Sequence, residues 1–169
     1  MKKLATLFLI AAGLIAATSV NAQSKIGYID ISKLVTSMPE YRKADTAMAE
    51  YQNALSQQYA DMVTEFNEKD SLLSGKDTAK YTKAQLEVKR RDLGQLYLKI
   101  QGWNQQAQQL YDSKQNELLT PVQNKAMKAV QDVAKESGYG YVFSRQALVI
   151  DPPVADDLLP LVKKKLGIK

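Results

Sequence analysis

Roughly a hundred residues, from Pro39 to Ser137, repeat their apolar side chains at helical spacing, yet the stripe is too thin to close a globular core. On either side lie short β-rich segments, Lys25 to Ile31 and Tyr139 to Phe143. A narrow apolar stripe is buried only when one helix lies along another. The layout therefore predicts an α+β chain: a long antiparallel helical hairpin, coiled-coil-like, rising from a small β platform. So few strands are marginal alone, and the chain has no cysteine to staple them. The platform is expected to gain its stability by assembly.

Residues 1–22 read as a cleaved secretory leader. Lys2 and Lys3 give the positive start, Leu4 to Ala17 the apolar run, and Val20-Asn21-Ala22 the small-residue exit. The run is shorter than the ~20 residues a membrane-spanning helix needs, and no cysteine follows it for lipid attachment. The expected destination is the periplasm of a Gram-negative cell, reached as a soluble protein. Removing Lys2 and Lys3 with the leader takes 23 basic residues to 21 against 18 acidic ones, so the net charge falls from +5 to +3. That surface is far from a nucleic-acid footprint.

Within the remainder, residues 23–38 and 120–169 are expected to form the body and residues 39–119 the arm. In the first strand, Ile26 and Tyr28 share one face and Gly27, Ile29 and Ile31 the other, as in a strand covered on both sides. Ser37-Met38-Pro39-Glu40 reads as a helix start. Tyr41, Met48, Leu55 and Met62 then recur every seven residues, with Ala44, Tyr51, Gln58 and Glu65 in the second row and Tyr59, Phe66 and Leu73 flanking. At ~1.5 Å per residue this arm is roughly 50 Å long. Ser74-Gly75-Lys76-Asp77-Thr78 predicts a reversal.

The return helix is expected from about Ala79 to Leu119, facing the outgoing one through Val88, Leu96, Ile100, Trp103, Ala107 and Leu110. Gly94 and Gly102 inside it imply a close approach of the two helices, with a hinge as the alternative. Thr120-Pro121-Val122-Gln123 predicts a kink or restart. Beyond it Val122, Ala126, Ala129, Val130 and Val133 form a stronger apolar face directed at the platform, closed by Gly138 as a left-handed cap. Tyr139 to Phe143 and Ala147 to Ile150 read as a hairpin of two strands, which Asp151-Pro152-Pro153 stops. Asp156 or Asp157 caps a short last helix that ends in Lys163, Lys164 and Lys165.

With no histidine and no cysteine, the commonest general base, metal ligand and thiol nucleophile are missing. No phosphate-binding glycine loop is present either. The reading is therefore not an enzyme: no catalytic residue, no metal ligand and no cofactor. Asp156-Asp157 fits helix capping better than acid catalysis or calcium binding. Lys89-Arg90-Arg91 fits a solvated face with a Glu87–Arg91 pair better than a patch that steers a ligand.

Taken in order, Ile26-Gly27-Tyr28-Ile29-Asp30, Ser37-Met38-Pro39-Glu40-Tyr41, Leu118-Leu119-Thr120-Pro121, Ala134-Lys135-Glu136-Ser137-Gly138-Tyr139, Val142-Phe143 and Asp157-Leu158 resemble the OmpH/Skp family of periplasmic chaperones. The match spans almost the whole chain after the leader. It implies a homotrimer whose platforms join into a barrel-like body, with three arms around a cavity. It also implies an ATP-independent holdase that binds unfolded outer-membrane proteins and keeps them from aggregating before membrane insertion. On this reading Met48, Tyr51, Tyr59, Met62, Phe66, Tyr97, Trp103 and Tyr111 are the candidate client-binding side chains. Ile26, Tyr28, Ile29, Val142, Phe143, Val149 and Ile150 are the candidate trimer interface. Weak contact with anionic lipid or lipopolysaccharide is a further implied partner, although Glu65, Glu68, Asp70 and Asp77 offset the lysines near the arm tip. The competing reading is a structural or adaptor coiled coil of the cell envelope. Such a protein would carry a tighter aliphatic heptad seam than this polar, aromatic one.

Overall fold

The computed structural model describes residues 24–150 and 152–168; the leader assigned to residues 1–22 and the strand stop at Asp151 lie outside them. Strand β1 (Lys25–Ile29) is shorter than its sequence pattern. Asp30 leaves the strand and caps helix α1 (Ile31–Ser37), its carboxylate accepting a hydrogen bond from the Lys33 N–H at 2.9 Å. Ile31, Leu34, Val35 and Met38 have helical spacing, but over so short a run it cannot be told from the tail of a strand. Leu34 and Met38 are fully buried.

Helix α2 (Pro39–Ser74) starts with Pro39 and Glu40 in its first turn, as the sequence predicts. A 3-10 turn (Lys76–Lys80) reverses the chain into helix α3 (Lys83–Glu136). That helix starts four residues later than Ala79, at a capping box in which Thr82 and Gln85 each accept a hydrogen bond from the other's backbone N–H. The two helices form one antiparallel hairpin. The 27 residues from Glu40 to Phe66 are matched by 29 from Lys125 back to Tyr97, the partners at either end.

Helix α3 runs unbroken through Pro121, so the expected restart at Thr120 does not occur. The proline removes one backbone bond, to the Glu117 carbonyl. Pro121 and Glu117 both lie on the exposed side, where water can take that carbonyl, and the apolar stripe continues beneath them. Val122, Ala126, Ala129, Val130 and Val133 pack there with Ile29, Leu34, Met38, Tyr139, Leu158 and Val162 into the body core. A second, thinner core lies in the arm, with Leu55, Met62, Leu96 and Trp103 buried.

Ser137 and Gly138 end α3, Gly138 adopting φ +74° as the left-handed cap requires. Strand β2 (Tyr139–Ser144) then pairs parallel with β1, Tyr28 opposite Phe143 and Ile29 opposite Ser144. Gly27 has no room for a side chain: a Cβ there would meet Tyr139 at 2.8 Å and the Leu158 methyl closer still. Leu158 donates its N–H to the Tyr28 carbonyl at 2.9 Å, which leads into helix α4 (Leu159–Lys165) with its three terminal lysines. Asp157 accepts from the Leu159 N–H at 2.9 Å, and Asp156 sits in the preceding 3-10 turn (Val154–Asp156).

The second strand of the expected hairpin is not formed. Arg145–Ala147 is a 3-10 turn, held by Gln146, which accepts from Ser144 and donates to Ser32. Val149 and Ile150 project into solvent at 101 % and 82 % exposure. They pair with neither strand of the two-stranded sheet, so their alternation has nothing to register against.

The close approach expected at Gly94 and Gly102 is also absent: nothing lies within 4 Å of where a Cβ would sit at either. Gly94→Ala and Gly102→Ala are therefore each expected to stabilise the arm by about 0.5–1 kcal/mol. Denaturant unfolding followed by circular dichroism measures the gain.

Candidate functional site

The hairpin seam consumes several of the side chains expected to bind clients. Met48, Met62 and Trp103 are buried at 7 %, 5 % and 3 % exposure. Tyr51, Phe66 and Tyr111 pack partly buried against the arm core. Only Tyr59 and Tyr97 stand exposed among the eight. The Tyr97 ring lies tilted over Phe66, with centroids 6.0 Å apart. Exposed Leu98 extends this apolar surface along α3.

Midway along the arm the seam opens into a groove of about 350 Å³. Leu55, Trp103 and Ala107 line its apolar part; Gln52, Ser56, Asn104 and Gln108 are its polar lining, with Tyr59 and Tyr111 beside them. Ala107 is too small to fill the space left between a leucine and a tryptophan. One residue in four of the chain is charged, yet none of the nine lining this groove is. The neutrality extends beyond the lining: residues 51–60 and 100–111 carry no charge, and ten of these twenty-two are Asn or Gln. The antiparallel register sets the two stretches side by side, so an uncharged, amide-rich band surrounds the arm at this height. Sequence reasoning centred on the aromatic rows and missed the band. The signal was the gap in charge between Glu50 and Asp61, and between Lys99 and Asp112.

On the body, Tyr28 and Ile29 are used by the chain's own core at 5 % and 1 % exposure, and Val142 is half-buried. Ile26, Phe143, Val149 and Ile150 are exposed. Ile26, Phe143 and Ile150 line a concavity of about 400 Å³ together with Leu148, Pro152 and Pro153. A contiguous exposed apolar surface of this kind is a candidate interaction site.

Ion pairs brace the joint between arm and body. Lys125 of α3 pairs with Glu40 at the start of α2, and Lys165 of α4 with Glu136 at the end of α3. The hydrogen bond from Lys125 holds the Glu40 carboxyl below its ordinary range, and Glu136 holds Lys165 above its own. A lowered carboxyl stabilises the fold above its unfolded pKa and loses that contribution as pH falls through the folded value. Both Glu40 and Lys125 are well exposed, so Glu40→Gln is expected to cost less than about 1 kcal/mol near neutrality. The difference from wild type should vanish as the medium is acidified below the ordinary carboxylate range; urea midpoints across pH measure it.

The sequence model of the family described as "Outer membrane protein (OmpH-like)" matches residues 25–166. The chain belongs to the OmpH-like family. Among curated proteins none matches. This OmpH-like chain shares its fold with the 2.83 Å crystal structure of a candidate outer membrane chaperone (OmpH-like) from Caulobacter crescentus CB15. The TM-score is 0.68 at 17 % identity, covering 89 % of this chain and 88 % of that one. Among the described residues of the OmpH-like chain no helix is long and apolar enough to cross a membrane, and no cluster of acidic side chains could hold a metal ion.

Proposed function

We propose that this chain is an ATP-independent periplasmic holdase, binding unfolded outer-membrane proteins and keeping them from aggregating before insertion. The observation that carries this reading is the arm. Helix α2 and most of α3 reach far beyond the body core and are held together by a seam with few fully buried side chains. A surface for unfolded chains needs weak, adaptable contacts, which exposed Tyr59, Tyr97 and Leu98 beside a neutral groove supply. Family membership and the fold shared with the Caulobacter protein support the same role.

In the proposed assembly three copies join through the exposed apolar face of the body, around Ile26, Phe143, Val149 and Ile150. Residues 23–38 and 120–169 then form the shared hub, and residues 39–119 the arms that enclose the client. The leader at residues 1–22 would deliver the protein to the periplasm. Contact with anionic lipid or lipopolysaccharide remains weak in this scheme, because acidic residues alternate with the lysines near the tip. Pull-down from an envelope extract with mass spectrometry tests the reading. Enrichment of unfolded outer-membrane barrels supports a holdase; enrichment of folded envelope components instead supports an adaptor.

A further inference from the structure

We propose that the neutral band midway along the arm is a docking groove for extended, uncharged segments in which apolar or aromatic residues alternate with polar ones. This deepens the holdase reading and rests on it. In an extended chain successive side chains point to opposite sides, so one row can enter the groove against Leu55, Trp103 and Ala107 while the other stays in water. The volume, about 350 Å³, falls within the range of pockets that bind small organic groups.

The backbone of such a segment has unpaired N–H and C=O groups that must find partners when water leaves. Gln52 and Asn104 offer both a donor and an acceptor on each side chain; Gln108, whose amide already donates to Asp112, offers its carbonyl oxygen, and Ser56, which donates to the Gln52 carbonyl, offers its oxygen as acceptor. A helical segment satisfies its own backbone and gains nothing from these amides. A charged segment would be desolvated against walls that hold no opposite charge. The ten uncharged residues of 51–60 rise about 15 Å along α2, the length of four or five residues of a strand. The groove therefore selects for short stretches of alternating, uncharged sequence.

Trp103 is the chain's single tryptophan and lines the groove, so its fluorescence reports occupancy directly. The full protein is titrated with a tryptophan-free eight-residue peptide alternating Thr and Asn with Tyr and Val. Two control peptides have the same residues in two blocks, or Lys and Glu at the polar positions. The expected result is a saturable change with the alternating peptide and binding at least tenfold weaker for both controls. Ala107→Leu, which fills the groove, and Asn104→Asp, which charges its exposed rim, should each weaken binding at least tenfold while the circular dichroism spectrum is kept. Equal binding of the controls, unchanged binding by both variants, or no saturable change in the wild type overturns the inference. Aggregation of a urea-diluted outer-membrane barrel is followed in parallel. Suppression by a wild-type protein that ignores the peptide removes the groove and leaves the holdase. Absence of suppression removes the holdase itself.

Discussion

Trp103→Ala is expected to melt the arm and spare the body. The indole is 3 % exposed and belongs to an arm core with only three other buried side chains, Leu55, Met62 and Leu96. Truncating a buried tryptophan costs about 3–5 kcal/mol from lost burial and the cavity left behind. The body core shares no buried residue with the arm core, so the loss is local. Hydrogen exchange should show amides in 51–66 and 96–111 losing more than about a hundredfold protection. Amides from Val122 to Val133 should stay protected. Equal loss in both regions would mean that arm and body unfold as one unit.

Ile29→Asp and Val149→Asp place the same carboxylate at opposite ends of the burial scale. Ile29 is 1 % exposed, packed in the body core; Val149 is wholly exposed. An unpaired charge at Ile29 is expected to cost more than about 4 kcal/mol and unfold the body. At Val149 the single-chain fold should survive, with a helical signal like that of the wild type. If the exposed face is the trimer interface, Val149→Asp nevertheless shifts the protein to monomer in sedimentation at micromolar concentration. A folded Val149→Asp protein that is still a trimer would place the interface elsewhere.

Much of this architecture was legible because it rests on local chemistry. The proline and glutamate at 39–40, the glycine turn at 75, the heptad rows and the glycine cap at 138 each dictate their own backbone, and the structure follows them. The departures occur where surroundings outweigh local preference. Pro121 breaks a helix by propensity, yet the stripe from Val122 to Val133 is buried deeply enough to carry α3 through it. Ala147 to Ile150 alternates like a strand, but the chain turns through a 3-10 helix at Arg145–Ala147 and leaves Val149 and Ile150 in solvent. Gly94 and Gly102 read as contact points and face open space, since spacing alone does not fix which way a helix turns.

The candidate site was legible only in part. The aromatic and methionine rows were found, but periodicity cannot divide those that fill the seam, such as Met62 and Trp103, from those left outside, such as Tyr59 and Tyr97. Two stretches fifty residues apart become one neutral band only when the hairpin closes.

Light scattering during dilution of a denatured outer-membrane barrel from urea tests the central claim most directly. Near-stoichiometric protein, without ATP, is expected to keep the barrel soluble. Scattering unchanged at a large excess of protein would contradict it.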